Sequence, residues 1–115
     1  MKLFELITKE FIYIVDTLLV SEAVEDNRII IDKEYFKRLL EKYKYMSFKE
    51  KTSIYKDLNF LIHDKNNYTL PCREEKKSVR KVVINYKTYV TLKWIISQEV
   101  GHGEKGRQNG RNNNL

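Results

Sequence analysis

Residues 31–58 read IDKEYFKRLLEKYKYMSFKEKTSIYKDL, and this stretch decides the fold. Apolar and aromatic residues recur at helical spacing over Lys33–Tyr45, which predicts a helix there. A short turn follows at Tyr45–Ser47. Ser47 stands three residues before Glu50, and this Ser-x-x-Glu spacing predicts a capping box that opens a second helix. The stretch therefore predicts helix, tight turn, helix.

The second helix is predicted to run to the polar segment His63–Asn67, and steps of about 100° per residue divide it into two faces. The inward face holds Phe48, Ile54, Tyr55, Leu58, Leu61 and Ile62, and the outward face holds Lys49, Thr52, Ser53, Lys56, Asn59 and Phe60. Asn can pair with adenine, and Lys can donate to guanine or to phosphate. The outward face is therefore either a DNA-reading surface or an ordinary solvated one. Phe60 is expected to pack against the hairpin that follows.

A basic hairpin is predicted after the second helix. Tyr68–Arg73 and Val79–Tyr86 are strand-like, and Pro71 confines the first run to an edge or a short strand. The hairpin carries the cations Arg73, Lys76, Lys77, Arg80 and Lys81. Such a tip can lie along a phosphate backbone or enter the minor groove. Cys72 is expected to be half-buried in this hairpin.

Two further helices are predicted at the ends of the chain. Lys2–Leu19 is amphipathic, and its apolar arc is wider than one core contact requires. The arc predicts either burial beneath the last helix or a dimer interface, which would supply two half-sites for reading DNA. After Asn85, apolar residues fall at alternate positions, as they do in a strand. Apolar residues also recur there at helical spacing, and Asn85 can serve as a helix cap, so we predict a helix over Thr88–Val100. Trp94 and Ile95 are expected to be buried against the first helix or in a dimer.

A short β-branched strand is predicted at Arg28–Asp32, with Asp32 capping the helix that follows. At the other end, Gly101–Leu115 holds all four glycines and is expected to be a disordered basic tail that follows a domain of residues 1–100. Its cations Lys105, Arg107 and Arg111 are candidates for non-specific phosphate contact.

Charge and composition narrow the functional classes. The net charge of +6 is uneven, since residues 1–27 carry −4 and residues 28–93 carry +9, as a polyanion-binding surface requires. No run of 18 apolar residues or secretory signal is found, and Cys72 is the single cysteine, so a reducing cytoplasm is expected. Without a phosphate loop, a catalytic His or Cys pattern, or ligand clusters around His63 and His102, we expect no enzyme activity, metal or cofactor.

The order helix, strand, helix, helix, strand, wing, strand, helix resembles winged helix-turn-helix proteins over about Leu3–Val100. Within it, Lys51–Leu58 is similar to their recognition-helix pattern. The resemblance implies that Lys49, Thr52, Ser53, Lys56 and Asn59 enter the major groove and that Arg73–Lys81 forms the wing. The expected function is sequence-specific double-stranded DNA binding by a homodimer. The alternative is a winged-helix protein-interaction module that recruits or inhibits a nucleic-acid enzyme.

Lys, Ile, Asn and Tyr are abundant and there is one alanine, a skew typical of A+T-rich genomes and their mobile elements. This skew makes a plasmid or phage setting plausible. The protein would then be a transcription regulator or an accessory factor at an origin of conjugative transfer, replication or partition.

Overall fold

The computed structural model describes the backbone of residues 3–104 and the side chains of residues 3–98. These residues form a small α+β fold, as predicted. Its elements are α1 (Leu3–Leu18), β1 (Arg28–Ile31), α2 (Lys33–Leu40), α3 (Phe48–Asp57), β2 (Leu61–Ile62), β3 (Leu70–Glu74), β4 (Lys77–Asn85) and α4 (Tyr86–Glu104). The rest of the predicted tail, residues 105–115, lies outside the described residues.

The strand β4 organises the sheet, because β1, β2 and β3 all pair with it in antiparallel fashion. Its inner half lies between β1 and β2, and its outer half forms a hairpin with β3. The hairpin loop consists of Glu75 and Lys76, with φ values of 49° and 73°. Positive φ at both loop residues is characteristic of a type I′ turn, whose backbone twist matches the right-handed twist of paired strands. The predicted hairpin is therefore present, with its second strand beginning at Lys77.

The core joins α1 to α2, the sheet and the end of α3. Its fully buried apolar residues include Ile7, Phe11, Ile14, Val15, Leu18, Ile29, Phe36, Leu40, Tyr55, Leu61, Val82 and Ile84. The rings of Phe11 and Phe60 stack with centroids 4.2 Å apart, and Tyr55 meets Phe60 edge-on at 5.2 Å. Phe60 therefore belongs to the core, and the prediction that it faces outward toward the hairpin is wrong.

The helix α3 ends at Asp57, earlier than predicted, because the chain reverses at Asn59. Asn59 has a φ of 59°, in the left-handed region that Asn tolerates better than most residues. The Asn59 N–H donates to the Lys56 carbonyl and the Phe60 N–H to the Tyr55 carbonyl, which is the bond pattern of a Schellman helix end. Leu61 and Ile62, predicted to be helical, form β2 instead.

The helix α2 ends at Leu40 rather than Tyr45, and a buried lysine accounts for the difference. The Lys51 ammonium donates to the carbonyl oxygens of Leu40, at 2.6 Å, and Tyr43. Helical carbonyls point in parallel along the helix axis, so the convergence of these two on one ammonium fits a chain that has left the helix after Leu40. At the other end of α2, Asp32 occupies the predicted cap position but makes no side-chain cap bond. Its carboxylate accepts from Lys81 instead.

The segment after β4 is helical, which confirms the prediction of a last helix. The Asn85 side chain accepts from the Thr88 N–H at 3.3 Å, so Asn85 does cap α4. Trp94 and Ile95 are 63% and 41% exposed, and their predicted burial against α1 is therefore wrong for the single chain. Among the described residues, no helix combines the length and the apolar character needed to cross a membrane.

Candidate nucleic-acid interface

A groove of about 380 Å³ with a mixed polar and aromatic lining lies between α3 and the loop of residues 63–69, and we call it the α3–loop groove. The helix contributes Phe48, Lys49, Thr52, Ser53 and Lys56, and the loop contributes Asn66, Asn67 and Tyr68. Four of the five residues predicted to read DNA from α3 therefore share one concave surface.

The four α3 residues are not equally accessible within this groove. Lys49 and Ser53 are exposed and Lys56 is half-buried. Thr52 is only 7% exposed, and its hydroxyl donates to the Lys49 carbonyl at 3.0 Å. Thr52 thus contributes mainly to the floor of the groove, while the other three present side chains to solvent.

Asn59 does not line the α3–loop groove. Its side chain is exposed, but the residue lies beyond the helix end described above. Its carbonyl accepts from the Asn85 amide at 3.0 Å and the Thr88 hydroxyl at 3.1 Å. Asn59 therefore stops α3 and connects it to the start of α4.

Three of the five predicted wing cations lie toward the hairpin tip. Arg73, Lys76 and Lys77 are exposed, and none forms an ion pair with another side chain of residues 3–98. Their charges are accordingly available to a polyanion.

The other two wing cations, Arg80 and Lys81, are engaged within the protein. Arg80 pairs with Asp64, and its Nε donates to the Thr69 hydroxyl at 2.8 Å. Lys81 pairs with Asp32 and, at 3.3 Å, with Glu74. The hydrogen bond to Asp32 is the main cause of a raised pKa for the Lys81 ammonium. Both cations are thus partly neutralised before any ligand arrives.

Behind α3 lies a buried network that sequence reasoning missed. The Lys51 ammonium, 1% exposed, lies 2.6 Å from the Glu10 carboxylate. The other Glu10 oxygen accepts from the hydroxyls of Tyr45 and Tyr55, each at 2.8 Å. Burial, followed by Glu10, raises the pKa of both phenols. The network joins α3 to α1 and to the α2–α3 turn.

The signal for this network was present in the sequence. Glu10 stands three residues after Ile7 and four before Ile14, in the middle of the apolar face of α1. Lys51 stands four residues before Tyr55, on the inward side of α3. Opposite charges on two apolar faces predict a buried pair, because an isolated buried charge is costly.

A second groove, about 370 Å³ in volume, lies between α1 and α4, and we call it the α1–α4 groove. It is lined by Phe4, Glu5, Thr8, Lys9, Leu92, Ile95 and Ile96. The Thr8 hydroxyl is buried and makes no hydrogen bond with another described residue. Phe4 is 57% exposed at the rim. The apolar arc of α1 is therefore only partly covered by α4.

Residues with metal-binding or nucleophilic chemistry are scattered. Among the described residues, no group of three or more His, Cys, Asp or Glu side chains is placed to hold a metal ion. His63 contacts the Asp64 carbonyl through Nδ1 at 2.7 Å. Cys72 is half-buried in β3, as predicted, near the Leu70 carbonyl. No protein-family model matches this chain, and a comparison with curated proteins gave no match.

Proposed function

We propose that this protein binds double-stranded DNA sequence-specifically as a homodimer of winged helix-turn-helix character. In this proposal α3 enters the major groove and the β3–β4 hairpin is the wing. The element order and the pairing of β1, β2 and β3 with β4 support this architecture. A plasmid or phage regulator, or an accessory factor at an origin, fits such a DNA-binding role.

The observation that carries the proposal is the α3–loop groove. Two lysines, Lys49 and Lys56, flank Ser53 there, and neither lysine forms an ion pair among the described side chains. Unpaired ammonium groups bind phosphates, while hydroxyl and amide groups can bond base edges. Exposed Arg73, Lys76 and Lys77 at the hairpin would add phosphate contacts beside the groove.

The α1–α4 groove supports the dimer. Its apolar lining and the unbonded Thr8 hydroxyl are features that a second copy would cover and pair. A two-fold dimer would also present two α3 helices to two half-sites of one DNA duplex.

The same α1–α4 groove favours a second candidate function. In that case it would bind a different protein, and the chain would be an interaction module that recruits or inhibits a nucleic-acid enzyme. The two candidates differ in what they require of DNA. The first requires salt-dependent duplex binding, and the second does not.

A gel-shift titration over a salt series, on duplexes selected from a random pool, tests the first candidate. We expect affinity to fall steeply between about 50 and 200 mM salt, as phosphate contacts dictate, with two chains per bound site. The Lys76→Ala/Lys77→Ala variant should weaken binding to all sequences alike. Affinity that barely changes with salt, or no enrichment of any sequence, would refute sequence-specific binding through these surfaces. A single chain per site would refute the dimer alone.

A further inference from the structure

The loop of residues 63–69 is an excursion from a strand that would otherwise be continuous. β2 pairs Leu61 with Ile84 and Ile62 with Val83, a register that would bring residue 64 opposite Lys81. Leu70 occupies that place instead, because β3 pairs Leu70 with Lys81. The chain therefore leaves the edge of the sheet after Ile62 and returns to the same edge at Leu70.

The neck of this loop is closed by a clamp. The Asp64 N–H donates to the Thr69 carbonyl at 3.3 Å. Arg80 reaches across from β4: its Nε donates to the Thr69 hydroxyl at 2.8 Å, and its Nη2 donates to the Thr69 carbonyl at 2.9 Å and to the Asp64 carboxylate. The planar guanidinium group of Arg80 thus contacts both ends of the loop with donors in a fixed geometry, an arrangement that a lysine ammonium cannot reproduce.

The clamped loop presents polar side chains toward α3. Lys65, Asn66 and Asn67 are exposed, and both asparagines line the α3–loop groove. Tyr68 is anchored behind them, with its ring 5.8 Å from that of Phe48. The Tyr68 hydroxyl makes no hydrogen bond to another described residue, and it is therefore free to donate to a ligand.

From this arrangement we propose that the 63–69 loop is a second DNA-reading element and that Arg80 is the positioning residue that holds it. This inference rests on the proposed function. Its ligand is the duplex that α3 would enter, whose base edges Asn66 and Asn67 would contact. Asn amides can form two hydrogen bonds with adenine, and a loop ordered in advance loses less entropy on binding.

The test compares binding to a selected duplex and to a scrambled duplex of the same length. For Asn66→Ala/Asn67→Ala we expect discrimination between the two duplexes to fall roughly tenfold or more, with binding to the scrambled duplex unchanged. Both side chains are exposed, so the midpoint of thermal unfolding should not move.

Arg80 is tested with two substitutions that separate a clamp from a phosphate contact. Arg80→Lys keeps the positive charge but loses the planar guanidinium donors. If Arg80 acts by clamping the loop, this variant should lose discrimination as fully as Arg80→Ala. A phosphate contact would instead be rescued by lysine, and only Arg80→Ala would then weaken binding, to both duplexes alike. Such rescue would overturn the role assigned to Arg80.

The Lys49→Ala/Lys56→Ala variant separates failure of this inference from failure of the proposed function. If it loses binding while Asn66→Ala/Asn67→Ala keeps full discrimination, α3 binds DNA and the loop does not, so the inference is overturned alone. If the unsubstituted protein binds neither duplex in a salt-dependent way, the proposed function falls and the inference falls with it.

Discussion

The lysines of α3 and the cations of β4 form an instructive contrast. Lys49 and Lys56 face the α3–loop groove without ion-pair partners among the described side chains. Arg80 and Lys81, in the central strand, are paired with Asp64 and Asp32. Each element carries three cations in the sequence, yet the ones without an ion pair among the described side chains are Lys49 and Lys56 in α3 and Lys77 in β4.

The acids responsible for this difference lie at very different distances along the chain. Asp64 is 16 residues from Arg80, and Asp32 is 49 residues from Lys81. Neither pairing follows from local charge patterning. A count of cations in a segment therefore measures an upper limit on its binding charge, and the fold decides how much of that charge remains unpaired.

The contrast is sharpest within α3 itself, where Lys51 is buried between the two accessible lysines. We expect Lys51→Met to lower the free energy of unfolding by about 3–5 kcal/mol, because it leaves the Glu10 carboxylate buried without a counter-charge. Urea denaturation at pH 7 measures this loss. Lys49→Ala, on the exposed side of the same helix, should stay within about 0.5 kcal/mol of the unsubstituted protein.

A double variant checks the cause assigned to Lys51. Glu10→Gln should also be strongly destabilising, because it leaves the Lys51 charge buried. Glu10→Gln/Lys51→Met removes both charges, while the Gln carbonyl can still accept from Tyr45 and Tyr55, and it should cost much less than the sum of the two single changes. Strict additivity would mean that the pair is not the source of the effect.

DNA binding provides the second test of the contrast. Under the proposed function, Lys49→Ala and Lys56→Ala should each reduce the slope of log affinity against log salt by about 1. Lys81→Ala should leave the slope nearly unchanged, because that ammonium is already neutralised by Asp32 and Glu74. Filter binding over a salt series measures all three. Equal losses from the three variants would show that the intramolecular pairs of Lys81 do not withhold its charge.

Much of the fold was predictable because its signals are local. Ser47 and Glu50 form the predicted capping box, and helical spacing located α1 and α3. The boundaries that failed depend on contacts distant in sequence. The Leu40 carbonyl at the end of α2 binds Lys51, 11 residues later in the chain. Phe60 is buried because its ring stacks on that of Phe11, 49 positions earlier in the chain.

The candidate site shows the same division. Helical periodicity was enough to bring Lys49, Ser53 and Lys56 to one face of α3. It could not reveal that Asn59 ends the helix, because that requires the backbone reversal at φ 59°. Nor could it reveal that Arg80 joins the two ends of a loop, since the loop becomes apparent only from the register of β2 and β3 against β4.

The smallest predicted effect concerns Glu50, an acidic residue of α3 that hydrogen-bonds to Ser47 and forms no ion pair with the lysines of that helix. The Glu50 carboxylate accepts from the Ser47 N–H at 3.2 Å and from its hydroxyl at 2.9 Å. These bonds, the backbone bond first, lower the pKa of Glu50. The ionised carboxylate therefore stabilises the folded state above the unfolded pKa of about 4.3, and that contribution is lost as the pH falls through the lower folded-state value.

Urea denaturation between pH 7 and pH 3 can isolate this contribution. Glu50→Gln does not titrate, so the stability advantage of the unsubstituted protein over it should be greatest near pH 7 and should shrink below about pH 4. Ser47→Ala removes the hydroxyl oxygen that accepts from the Glu50 N–H at 3.1 Å, and this change should cost about 1 kcal/mol at pH 7. A difference between Glu50→Gln and the unsubstituted protein that stays constant with pH would mean that the Glu50 charge plays no part in the cap.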